Sequence, residues 1–214
     1  MNKPILATVS LLALALRAVA GEPPPRPFLP EAAARSHVLL VNVGGAMPEA
    51  LFAKAAERAC STVYVNFWTN SIPKSVFREL IEDPSLLKAK FGKKVCVAVF
   101  IERNEKGPSF LQSPGAWSMV NLRGLDRDRP DAAKYETRCA KMVLKGIAYA
   151  CGGGNTLERV CDMYCGSFTL AGMDAANLTI SPMAYFPMLE ILKALGGPEV
   201  LIPENDVGLD LEAE

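Results

Sequence analysis

One histidine, His37, stands among 214 residues, while cysteine occurs six times, at Cys60, Cys96, Cys139, Cys151, Cys161 and Cys165. A helix-borne hydrolytic metal centre needs two imidazoles one turn apart and a glutamate to take a proton from water. That set cannot be assembled from this chain. A cysteine nucleophile normally works with an imidazole base, and only His37 is on offer. The six cysteines are disulfide candidates, since an even count suits an exported chain, but sequence does not choose the pairing. Cys139, Cys151, Cys161 and Cys165 form the alternative, a closed structural zinc site, although no pair has the C-x2-C spacing. Buried, unpaired core cysteine remains the third reading. Asp174 and Glu190 are an acid pair with no spacing that argues for glycosidase chemistry, and read as surface charge. Met163, Met173, Met183 and Met188 read as packing residues.

The element that would carry chemistry is a helix from Asp131, a good N-cap, to about Ala150. Cys139, Val143, Gly146 and Ala150 share one face. Lys134, Arg138, Lys141 and Lys145 form a basic stripe, which the usual amphipathic pattern makes a solvated face, with an acidic partner as the sharper alternative. Gly152-Gly153-Gly154 follows this helix instead of preceding one, so it reads as a C-terminal cap and not a phosphate cradle.

Upstream, residues 38–43 (VLLVNV) are a continuous apolar run ending in Gly44-Gly45, as a buried strand would be. Residues 48–60 have helical spacing behind Pro48. Residues 62–68 (TVYVNFW), 94–102 (KVCVAVFIE) and 116–122 (AWSMVNL) read as three further strands. Residues 75–87 hold a short helix broken near Asp83-Pro84, and residues 104–114 are a polar excursion. Past Ser181-Pro182 a last helix, with Pro187 near its start, ends at Gly196-Gly197. The pattern predicts a mixed four- to five-stranded sheet with packed helices.

Residues 1–20 read as a signal peptide: Lys3, a short apolar stretch, then Ala18-Val19-Ala20 before Gly21. The apolar stretch is too short for a stable membrane span, and export to the periplasm or the extracellular space is expected. Residues 21–35 are a proline-rich spacer, 36–197 a single domain, and 198–214 an acidic tail. Over the whole chain 23 basic residues balance 23 acidic ones. Removing Lys3 and Arg17 with the signal peptide leaves the charge near neutral, which argues against a nucleic-acid partner.

Several strings resemble one family. Ser113-Pro114-Gly115 followed by Ser118-Met119-Val120-Asn121-Leu122-Arg123 is similar to the edge strand before the zinc helix of the metzincins. Residues 137–151 (TRCAKMVLKGIAYAC) stand where that family has H-E-x-x-H-x-x-G-x-x-H-C. Cys161-Asp162-Met163 echoes its C-x-M and the Met-turn region, residues 168–174 (FTLAGMD) continue the similarity, and residues 185–195 would be the closing helix. Residues 38–195 thus resemble a divergent metzincin, closest in layout to the archaemetzincins. The resemblance implies an α+β, zincin-like fold with an active-site-type helix. With the motif glycine set at Gly146, the ligand positions become Cys139, Val143 and Tyr149, the general base becomes Ala140, and Met163 marks the Met-turn. None of these provides a catalytic residue or a metal site, and the later C-x2-C is absent at 179–183. The implied protein is a pseudoenzyme without cofactor, a non-catalytic structural protein or one that binds an unknown peptide or protein, with an enzyme centred near Cys139 or Tyr149, or a structural-zinc protein using the 139–165 cysteines, as the alternatives.

Overall fold

The computed structural model describes residues 37–91, 95–153, 155 and 169–195. The signal peptide, the spacer, the tail, Met163, Cys161, Cys165 and Gly196-Gly197 lie outside the described residues. Five strands form one sheet in the order β2-β1-β3-β5-β4. β2 (Phe67–Ile72), β1 (His37–Val43), β3 (Val95–Glu102) and β5 (Trp117–Asn121) run parallel, and β4 (Phe110–Ser113) closes one edge antiparallel to β5. The fold is α+β with a mixed sheet, as the pattern predicts.

Both faces of the sheet are covered, which is why β1 and β3 read as unbroken apolar runs and not as alternations. Val38, Leu40, Val97, Val99, Ile101 and Val120 pack with α1 (Glu49–Thr62) and α4 (Ala132–Ala150). Leu39, Val41, Ala98, Phe100 and Met119 pack on the opposite face with α2 (Lys74–Glu82) and α3 (Ser85–Phe91). The break between α2 and α3 falls at Asp83-Pro84, where Asp83 Oδ1 accepts the Ser85 amide at 3.1 Å and starts the next helix. α5 (Leu170–Ala175) and α6 (Pro182–Ala194) follow, with Pro187 inside α6.

Two strand expectations are corrected. The second strand begins at Phe67, not at residue 62, because α1 runs on to Thr62. Tyr64 then takes φ 52° and closes the helix, with Val65 N bonded to Cys60 O at 3.2 Å and Tyr64 N to Ser61 O at 3.4 Å. The β-branched residues of TVYV are therefore spent on a helix end, where burial of Val63 and Val65 outweighs their strand preference. The polar excursion, in turn, contains β4. A short edge strand needs only one partner and tolerates exposed residues such as Leu111, so periodicity does not reveal it.

Candidate functional site

α4 is the helix on which the site turns. Asp131 caps it, its Oδ1 accepting the Lys134 amide at 2.7 Å. From Arg138 to Ala150 every residue is buried, so the helix runs through the interior with no solvated face over that length. The expectation of a solvated basic stripe is thereby overturned. Lys134 is exposed, but Arg138, Lys141 and Lys145 are only 1%, 3% and 1% exposed.

Groups far away in sequence make that burial tolerable. Arg138 donates through Nη1 to Asp128 Oδ1 (2.6 Å) and Leu125 O (2.6 Å), through Nη2 to Asp128 Oδ2 (2.8 Å) and Asp174 Oδ2 (2.6 Å), and through Nε to Asp174 Oδ1 (2.8 Å). All five guanidinium hydrogens are used, four in two forked carboxylate contacts and the fifth on the Leu125 carbonyl. The hydrogen bond from Arg138 is the main reason the Asp174 carboxyl is lowered to about 2, with Lys134 adding to it. Asp128 is pushed down more strongly by the same guanidinium, and Arg138 in turn is raised by both acids. Lys141 Nζ donates to Met173 O and Ala176 O, both at 2.6 Å, so its ammonium caps the carbonyl end of α5. Asp174, read from sequence as a plain surface charge, is thus an anchor of α5 to α4. Glu190 stays on the surface, its side chain 75% exposed beside Lys193.

Cys139, Ala140 and Val143 lie fully buried in the core shared with α1 and the sheet. Burial pushes the Cys139 thiol up to about 12, against the thiolate form that a nucleophile needs. Gly146 sits within α4, and the helix continues past it without a break. A Cβ there would come 2.4 Å from Val99 Cγ1 and 3.2 Å from Val120 Cγ1, and Ser118 Oγ donates to Gly146 O at 2.6 Å. Gly146 therefore serves close helix–sheet packing.

The chain turns six residues later. Gly152 has φ 76°, Gly153 N bonds Ala148 O at 2.7 Å and Gly152 N bonds Tyr149 O at 3.1 Å, a Schellman-type end. The capping expectation for the glycine run holds at Gly152. The turn sends the chain back so that Asn155 Oδ1 accepts from the Tyr149 hydroxyl at 2.7 Å. Tyr149 is 3% exposed and stacks on Phe110 of β4, ring centroids 4.9 Å apart and planes 12° from parallel. Lys145 lies one turn earlier on the same side of the helix as Tyr149. Neither Lys145 nor Asn155 stands out as a site residue in the sequence. The signal that finds them is the glycine that ends the helix, as opposed to the one inside it.

Cys60, Cys96, Cys139 and Cys151 are thiols, and none of the four is in a disulfide. Cys139 and Cys151 are twelve residues apart along α4, about 18 Å at 1.5 Å per residue. With Zn–S bonds of about 2.3 Å, one ion cannot take both, which removes the four-thiolate site. Cys151 instead lies near Cys96 and Cys60, and burial raises its thiol before either neighbour does. Among the described residues no group of three or more His, Cys, Asp or Glu is placed to hold a metal ion, and no helix is long and apolar enough to cross a membrane.

No protein-family profile matches the chain, and no curated protein matches it. Solved structures do. An archaemetzincin from Methanopyrus kandleri matches with a TM-score of 0.56 at 18% identity, covering 78% of this chain and 99% of that one. A zinc-dependent peptidase from Methanocorpusculum labreanum matches with 0.55 at 12% identity, over 70% of this chain and 99% of the other. An archaemetzincin from Archaeoglobus fulgidus, crystallised with malonate, matches with 0.52 at 11% identity, over 71% and 99%. The sheet order, the long buried helix beneath it and the helices that follow are therefore those of an archaemetzincin-like zincin fold.

Proposed function

We propose that this chain is an exported zincin-fold protein that does not carry out zinc-peptidase chemistry and acts by binding a peptide or protein at the β4 edge of its sheet. The observation that carries the reading is the donor set at the helix turn. In H-E-x-x-H-x-x-G-x-x-H the glycine lets the chain leave the helix and return its third ligand to the first two. Gly152 is the glycine with that conformation. Counting from it, the ligand positions are Lys145, Tyr149 and Asn155, and the general-base position is Gly146. The contact between Tyr149 and Asn155 supports this count, since two ligands of one ion would have to meet.

An ammonium, a phenol and a carboxamide do not make the imidazole or carboxylate set that a catalytic zinc requires. A lysine has no lone pair to offer while protonated. At Gly146 there is no carboxylate, and Val99 fills the space a side chain would need. The donor set therefore does not fit zinc, and no hydrolytic step is derived through one. The count from Gly146, giving Cys139, Ala140 and Val143, leads to the same deficit.

Such a ligand has a recognition edge in β4, an edge strand that can accept an added strand through its backbone. Zinc analysis of the purified mature protein, with a broad peptidase assay in the presence and absence of chelator, is the test. We expect no stoichiometric zinc and no chelator-sensitive cleavage, and finding both would end the proposal. N-terminal sequencing of the exported product should begin at Gly21.

A further inference from the structure

A recess lies beyond the end of β5. It encloses about 260 Å³ and is lined by Ser109, Arg123, Arg127, Thr169, Leu170 and Met173, among others. The loop between β5 and α4, residues 122–131, alternates basic and acidic residues, LRGLDRDRPD. Each of its acids is engaged elsewhere. Asp126 accepts from Arg103 Nη2 at 2.7 Å, Asp128 from Arg138, and Asp131 caps α4. Two of the loop's arginines face the recess without a carboxylate. Arg123 Nη1 donates to a carbonyl, Glu105 O, at 2.8 Å, and Arg127, whose charge adds to the lowering of the neighbouring Asp126 carboxyl, forms no ion pair among the described residues. Arg127 Nε lies against Gly124, where a Cβ would stand only 2.7 Å away.

We infer that this recess binds a small organic oxyanion, a carboxylate or phosphate group on a short apolar body. The guanidinium groups of Arg123 and Arg127 present forked donors that match such an anion. Leu170 and Met173 supply an apolar floor, and among the described residues no acidic side chain lines the recess. The site is independent of the zinc-motif count.

Calorimetric titration of the full chain at low salt, with inorganic phosphate and separately with butyrate, tests the inference. Saturable binding of at least one of them is expected. Arg127→Gln should weaken it about tenfold, or ~1.4 kcal/mol, while thermal unfolding stays unchanged because Arg127 is exposed. Arg123→Gln should weaken binding as well, and Lys54→Gln, far away on α1, should not. Binding of phosphate alone identifies a phosphorylated ligand, and binding of butyrate alone a carboxylate. The inference fails if neither anion binds, or if Arg127→Gln binds as tightly as the unaltered chain.

Discussion

The two sides of α4 are equally buried and built on opposite principles. Toward the sheet and α1, Cys139, Val143, Gly146 and Ile147 pack apolar surface at close range. Toward α5, Arg138 and Lys141 are buried as cations and held by carboxylates and carbonyls. The first side derives its stability from area and fit. The second depends on every donor finding its acceptor, since an unpaired buried charge is costly. The contrast teaches that a charged helical stripe marks a distinct face without saying whether water lies against it.

The change that would break the comparison most strongly is a graft on the cationic side. Lys145→His with Tyr149→His and Asn155→His should create a zinc site, because Tyr149 and Asn155 meet after the Gly152 turn and Lys145 lies one helical turn before Tyr149 on the same side. At a thousandfold excess over its Kd, zinc would then stabilise the protein by about 4 kcal/mol, read as a chelator-reversible rise in Tm. The matching pair on the apolar side, Cys139→His with Val143→His, should give no zinc-dependent shift and should lower Tm. Zinc stabilisation from the second pair alone would transfer the motif back to the Gly146 count.

A smaller effect is expected at Arg138. Arg138→Met should destabilise the fold by about 3 kcal/mol, the low end for breaking a buried ion pair, because Asp128 and Asp174 remain partly hydrated. The Asp174 carboxyl is lowered to about 2 by Arg138, so the stability this gives is present above the ordinary carboxylate range. It is lost as pH falls from about 4 toward 2. Urea unfolding followed between neutral pH and pH 2 should show this acid limb in the unaltered chain and a flatter one in Arg138→Met. An acid limb of equal slope in both would assign it to other carboxylates.

Those two sides also divide what sequence could reveal from what it could not. The buried strands, the Asp131 cap, the length of α4 and the break at Asp83-Pro84 follow from patterns a few residues wide, and the structure has them. Arg138 and Lys141 did not read as buried because their acceptors, Asp128, Asp174, Met173 and Ala176, belong to other elements. β4 escaped notice because an edge strand with exposed residues carries no period. The site was legible as a deficit of histidine, independent of register. Its location was not, because Gly146 and Gly152 look alike in sequence, and only the backbone separates a glycine that packs from one that turns.

The smallest expected effect is at the junction of the two sides. Tyr149→Phe keeps the stack on Phe110 and removes only the hydroxyl that Asn155 accepts from. Asn155 is exposed, so water can take over its carbonyl, and the loss should be about 1 kcal/mol. In urea unfolding the midpoint should fall while the slope is unchanged, the signature of lost stability with the same surface exposed. A loss of several kcal/mol would mean that Tyr149 and Asn155 form a structural clasp whose polar bond closes α4 against its own turn. That end of α4 would then be sealed by the fold itself, leaving no open position for a ligand. A near-neutral outcome leaves the pair as polar groups at a position where the fold does not need them, which is where a binding partner can make use of them.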